Sequence, residues 1–244
     1  MHWTTADNLA AIQRAMHVAR AAGAAICAFS ELAVTGIHRQ IVREAHPQIV
    51  NPALDAVRRL ARELGLAVSV GAPTFGEGDL RYITQFLIDD HGETVAAVGK
   101  RGLTQAEATF FVPAAERPVG RLAGLRCSAV ICREVGDHEQ LRQDLPPGST
   151  DLLFLPGALR PDPAQPTEPP AYMDDAMRIA RSHGSWLVQT NWPNALNRPE
   201  ESVDGGRSIV VSPTGDKLIE LPRQAAGLGV FKLGETRFDW LPET

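Results

Sequence analysis

Leu125-Arg126-Cys127-Ser128-Ala129-Val130-Ile131-Cys132-Arg133-Glu134 decides how the chain is read. An apolar, strand-like run carries Cys132 to its end, where the character changes at once to Arg133 and Glu134. Two other apolar runs end the same way. Ala24-Ala25-Ile26-Cys27-Ala28-Phe29-Ser30 delivers Glu31, and Thr94-Val95-Ala96-Ala97-Val98-Gly99 delivers Lys100. A thiol, a carboxylate and an ammonium thus stand at strand ends, where open α/β sheets build their sites.

Working outward, helical spacing alternates with strand-like runs. Asn8 to Ala22 repeats apolar residues at helical intervals, with Asp7 as its expected N-cap. Ile37 to about Val50 reads as loop, and Pro52 to Leu64 as an amphipathic helix closed by Gly65. Leu66 to Ala72 reads as a buried strand, and Arg81 to Asp89 with Thr94 to Val98 as a hairpin. Asp151 to Pro156 and Ser185 to Thr190 are strands on either side of a helix from Met173 to His183. Ser208 to Ser212 and Lys217 to Leu221 flank the turn Pro213-Thr214-Gly215-Asp216. Arg101–Pro118 and the proline-rich Arg160–Pro170 read as loops that line a pocket, and Gly229 to Thr244 as an extended tail. The expectation is an α/β (α+β) mixed sheet covered by helices, in one domain over residues 1–244.

Bulk properties narrow the function classes. A net charge of -5 gives no basic footprint for nucleic acid or an anionic membrane. No apolar run reaches the roughly 18–20 residues of a membrane span, and the first residues lack a signal-peptide pattern. Three cysteines, two of them inside apolar runs, argue for free thiols in a reducing, cytoplasmic setting. Cys27 and Cys127 read as buried small hydrophobes.

Cys132 has two readings from context alone: a nucleophile facing a polar pocket, which needs a cation or base nearby, or a structural cysteine at a strand end. Glu31 is either a general base with a raised pKa or a carboxylate capping the next turn. Lys100 is suited to stabilising an oxyanion, although strand-end lysines are mostly solvated. Glu107 alone reads as a surface acid. There is no Gly-x-Ser-x-Gly elbow, no phosphate-binding glycine loop, and no histidine pair at metal-ligand spacing.

Taken together and in order, these segments resemble the nitrilase superfamily of carbon–nitrogen hydrolases. Phe29-Ser30-Glu31-Leu32 with Thr35-Gly36 is similar to the family's Phe-Pro-Glu-Leu and Thr-Gly. Gly99-Lys100-Arg101-Gly102-Leu103, with Glu107 and Phe111-Val112-Pro113 beyond, is similar to its lysine segment. Val130-Ile131-Cys132-Arg133-Glu134 with Glu139 is similar to its cysteine segment. The resemblance implies a four-layer α-β-β-α sandwich. It also implies a Cys132 nucleophile, a Glu31 base, and a Lys100 oxyanion stabiliser helped by the Arg133 backbone N–H, with Glu107 as a supporting acid. Arg133, Glu134, Pro156, Gly157 and Asn191 are expected to meet the substrate.

The implied reaction is hydrolysis of an amide or carbamoyl group, releasing ammonia or an amine, with no metal or organic cofactor and a homodimer or larger assembly. The alternatives are nitrile hydrolysis, acyl transfer to an amine, or a non-catalytic binding member. The chain departs from the pattern at four places. Ser30 replaces a proline, Gly102 a histidine, and Gly136-Asp137-His138 a Phe-Pro. The family's opening strand has no counterpart before the first helix, so the sandwich is expected to lack that strand or to have a misassigned start.

Overall fold

A computed structural model describes residues 1–160, 170–197, 206–223 and 225–242. The chain runs through α1 (Thr5–Ala21), β1 (Ile26–Ala28), α2 (Ile41–Glu44), α3 (Pro47–Leu64), β2 (Ala67–Phe75), β3 (Arg81–Ile88) and β4 (Thr94–Gly99). It continues with β5 (Gly120–Leu122), β6 (Leu125–Ala129), α4 (His138–Asp144), β7 (Leu152–Gly157), α5 (Ala171–His183) and β8 (Trp186–Asn191). The last elements are β9 (Ile209–Val211), β10 (Lys217–Glu220), β11 (Gly227–Phe231) and β12 (Phe238–Pro242).

One sheet has the order β1-β2-β3-β4, the second β10-β9-β8-β7-β6-β5, and β11 pairs with β12 alone. β1 runs parallel to β2, and β6, β7 and β8 are parallel neighbours. The remaining pairs are antiparallel.

Side-chain alternation along the strands sorts the core into three layers of contact. From β7, Leu152 and Phe154 point toward the other sheet, while Leu153 and Leu155 point toward α5. From β2, Ala67 joins the space between the sheets, while Val68, Val70 and Ala72 pack under α1 and α3. Both faces of both sheets are therefore covered, which is why β7 is apolar throughout instead of alternating. The result is a four-layer α-β-β-α sandwich.

Several local expectations shift. α1 starts at Thr5, and its N-cap is Thr4, whose Oγ1 accepts from Asp7 N at 3.2 Å; Asp7 lies inside the first turn. α3 starts at Pro47, because a proline at the first helical position gives up only an N–H that has no partner there. Pro52, expected to open the helix, sits inside it, and burial of Val50, Ala53 and Leu54 offsets the lost bond. The expected C-terminal tail folds back as the β11–β12 hairpin. Most of the Arg160–Pro170 loop, residues 161–169, lies outside the described residues.

Among the described residues no strand precedes α1. A cavity of about 1270 Å³ runs beside β1, bounded by α1, the β11–β12 hairpin and the facing strands of the second sheet. Cys132, Lys100 and Glu31 are not among its walls. Among the described residues no helix is long and apolar enough to cross a membrane.

Candidate active site

Three strand ends meet between the two sheets. Beyond β1, the ladder continues one step as Phe29 N donates to Ser69 O at 2.8 Å, and Phe29 O accepts from Gln85 Nε2 and Thr190 Oγ1. The chain then turns sharply, with Leu32 in the left-handed region at φ 49°. The turn lies so close to β2 that a Cβ on Gly71 would sit 2.4 Å from Leu32 N and 2.8 Å from Ser30 O. Only glycine fits there. Trp192 Nε1 donates to Glu31 O at 2.9 Å and fixes the turn from the second sheet. Glu31 is 1 % exposed.

Lys100 follows β4, with its backbone held by Ile83 O and Ala114 N. Its side chain is fully buried, and Nζ donates to Glu31 Oε1 and Glu107 Oε1, each at 2.7 Å. Glu107 stands in a short 3₁₀ turn, where its Oε2 accepts from Thr104 N and its own N–H donates to Thr104 Oγ1. The loop around Glu107 is thus fastened to itself and to Lys100.

Cys132 follows β6 after Val130, whose N–H donates to Phe154 O. It has φ 54°, a left-handed backbone that a side-chain-bearing residue adopts at a cost of about 1–3 kcal/mol, and such strain concentrates at functional sites. A 3₁₀ turn, Cys132–Gly136, follows immediately. The Ala158 backbone N–H, just past β7, donates to the Cys132 sulfur.

The charges explain the resting state. Glu31 and Glu107 share the Lys100 ammonium, two carboxylates to one cation, so the cluster has no spare positive charge for a thiolate. Burial and the Glu31 carboxylate push the Cys132 thiol up to about 12, against the opposing pull of Lys100. Burial also raises Glu31 above the ordinary carboxylate range despite Lys100 beside it. For Lys100, burial works to lower the pKa, but Glu31, Cys132 and Glu107 outweigh it and hold the group charged. Glu31 Oε2 has no donor in hydrogen-bonding geometry, while the Cys132 thiol is near enough to favour the ionised carboxylate.

A sequence model of the carbon-nitrogen hydrolases matches residues 1–234. The chain belongs to the carbon-nitrogen hydrolase family. Among curated relatives, this carbon-nitrogen hydrolase is 36% identical over 135 residues to a nitrilase of Pseudomonas syringae pv. syringae (strain B728a), covering 46% of this chain and 39% of that one. The match thus spans about two fifths of that relative's length. Among solved structures, it is similar to NitN amidase from Nesterenkonia sp. AN1, with TM-score 0.77 and 27% identity, covering 91% of this chain and 85% of that one. A variant of the same amidase, with the acetamide moiety of fluoroacetamide added covalently at its active-site cysteine, matches with TM-score 0.78 and 28% identity, covering 91% and 82%. These neighbours are nitrilase-superfamily amidases, and they share the sandwich described above.

Within this carbon-nitrogen hydrolase, Glu31, Lys100, Glu107 and Cys132 come together. The five residues expected at the substrate divide differently. Glu134 is 1 % exposed, and both its oxygens are occupied by Arg117 and by backbone N–H groups of Ile131, Arg101 and Gly102, so its carboxylate is spent on the protein's own donors. Asn191 is also engaged, accepting from Leu159 N and donating to Leu159 O and Gly206 O; it braces the loop that carries Ala158. The Arg133 guanidinium is tied to Asp137 and Gly102 O on the outer side of the turn. Pro156 and Gly157 lie in β7 opposite Thr190 and Asn191. A Cβ on Gly157 would stand 3.4 Å from Cys132 Cα, which places this residue at the nucleophile's backbone.

Sequence reasoning missed the Ala158 N–H, Gly71, Trp192 and Arg117. The Gly in Val70-Gly71-Ala72, inside an otherwise apolar strand, was the available signal for a close backbone approach. Among the described residues no three His, Cys, Asp or Glu side chains are grouped as a metal site.

Proposed function

We propose that this carbon-nitrogen hydrolase cleaves a small carboxamide through a thioester on Cys132. The observation that carries the reading is Glu31: buried, with Oε1 on Lys100, Oε2 without a hydrogen-bond partner, and the Cys132 thiol near enough to act on its carboxylate. In the reaction, Glu31 takes the Cys132 proton as sulfur bonds to the carbonyl carbon. Moving that proton from thiol to carboxylate leaves the cluster's charge unchanged, whereas a free thiolate would add a further negative charge. The carbonyl oxygen becomes an oxyanion, stabilised by Lys100 and the Arg133 backbone N–H. Glu31 returns its proton to the nitrogen, the C–N bond breaks, and ammonia leaves. Glu31 then takes a proton from water, which attacks the thioester carbon, and the acid departs as Cys132 regains its proton. Glu107 holds the Lys100 ammonium together with Glu31.

The amidase neighbours favour amides over nitriles as substrates, and the fluoroacetamide adduct of one of them favours short aliphatic amides. Ammonia release over short amides, carbamoyl amino acids and nitriles tests this. The expected result is turnover of amides that disappears in Cys132→Ala. Turnover of nitriles alone, or wild-type rates in Cys132→Ala, would overturn the reading.

A further inference from the structure

Next to the catalytic residues lies a ring of four charged groups. Arg117 is almost fully buried and enters from the loop before β5, where Ser128 Oγ holds the neighbouring Pro118 O at 2.8 Å. Its guanidinium makes a two-pronged pair with Glu134, Nη2 to Oε1 at 2.8 Å and Nη1 to Oε2 at 3.1 Å. Nη1 also donates to Ala129 O, and Nε donates to Asp144 Oδ2 at 3.3 Å. Asp144 accepts from Arg101, which closes the ring.

Glu134 uses the same two oxygens to bind backbone. Oε2 accepts from Ile131 N at 2.7 Å, the residue immediately before Cys132. Oε1 accepts from Arg101 N at 2.6 Å and Gly102 N at 3.0 Å, the residues immediately after Lys100. One carboxylate therefore fastens the nucleophile's turn to the lysine's loop, although the two belong to different sheets. Burial alone would push Glu134 toward its neutral form, but Arg117 and the N–H donors outweigh it and keep it ionised. A neutral carboxyl spends one oxygen on its own proton and cannot accept from all of these donors.

We propose that Arg117 is a positioning residue for amide hydrolysis, acting through Glu134 to hold the strained Cys132 turn in register with Lys100. The role rests on the proposed function, since the geometry it protects is the approach of nucleophile and oxyanion site. It needs the arginine fork: a lysine at 117 supplies the charge but cannot address Glu134, Asp144 and Ala129 O at once.

The experiment compares Arg117→Met and Arg117→Lys with the wild type, each first shown to be folded by circular dichroism and a cooperative melt. Steady-state kinetics on a short amide and the rate of Cys132 alkylation by iodoacetamide are then measured. The expected result is a fall in kcat of about 10- to 100-fold in Arg117→Met with KM within about threefold, since misplacing reacting groups costs rate more than binding. Arg117→Lys is expected to recover part of the loss, and the alkylation rate at Cys132 to change in the same order. If Arg117→Met does not fold, Arg117→Lys decides alone, with a drop of about tenfold in kcat expected. Folded variants with kcat and alkylation rate within twofold of wild type would overturn the proposal. Alkylation needs no amide substrate, so a wild type that alkylates at Cys132 but hydrolyses no amide defeats the proposed function and leaves this arm as the test of the ring.

Discussion

Cys127 and Cys132 lie five positions apart along one stretch of chain, and burial raises both thiols, to about 11 and about 12. By acidity alone neither looks like a nucleophile. What separates them is the company at each position. Cys127 is in the middle of β6, in register with Leu152, facing the apolar space between the sheets, with backbone groups of Leu125 and Leu122 bonded to its sulfur. Cys132 is past the end of that strand, at a left-handed turn, within the field of Glu31, Lys100 and Glu107. On the proposed mechanism this site holds a thiol beside its base, instead of a stabilised thiolate. What singles out Cys132 as the proposed nucleophile is the carboxylate near its sulfur, since its pKa is raised and not depressed.

The contrast is broken most severely by removing what Cys132 has and Cys127 lacks. Glu31→Gln and Lys100→Ala should each lower kcat on a short amide by about 10²–10³-fold, on the scale of a lost base or oxyanion donor. Steady-state kinetics on folded variants checks this. A change under fivefold in either would mean that the neighbours of Cys132 are not what activates it.

A smaller effect is expected from pH. In the proposed mechanism Glu31 must be ionised to accept the thiol proton, and burial raises its pKa above the ordinary carboxylate range. The rate should therefore fall as pH drops through that raised value, leaving an acid limb that begins above about 4.3, the ordinary glutamate value. A kcat/KM profile flat down to the ordinary value would show that Glu31 is not the titrating base. The smallest expected effect is at the other cysteine. Cys127→Ala should leave kcat within twofold and lower stability by about 1 kcal/mol, the cost of a small buried side chain in a packed core, read from a denaturant melt.

The sequence made the three strand ends legible because each reactive side chain ended an apolar run, and polarity at a run's end is visible in one dimension. A mixed sheet covered by helices followed from the alternating elements, and the four-layer sandwich came from the family resemblance alone. Glu107 was not readable from its own setting, since a loop acid looks alike whether it meets water or Lys100. The backbone partners of Glu134 and Asn191 were hidden for the converse reason. Nearness to Cys132 along the chain, or to a strand end, does not reveal direction, and both turn back to satisfy backbone groups. Arg117 stands in Glu116-Arg117-Pro118, a polar loop by composition, and only the folded chain brings it beneath the nucleophile's turn. The β11–β12 hairpin escaped because the turn around Gly234 separates two short runs that pair with each other alone.

The central claim is that Cys132 forms the covalent bond to the substrate carbon. The direct measurement is peptide-level mass spectrometry after brief incubation with a short amide, quenched in acid. The account predicts an acyl group on the peptide bearing Cys132, absent in Cys132→Ala, with the Cys27 peptide and the Cys127 thiol unmodified. An adduct on Cys127 or Cys27 instead, or full turnover in Cys132→Ala, would contradict it.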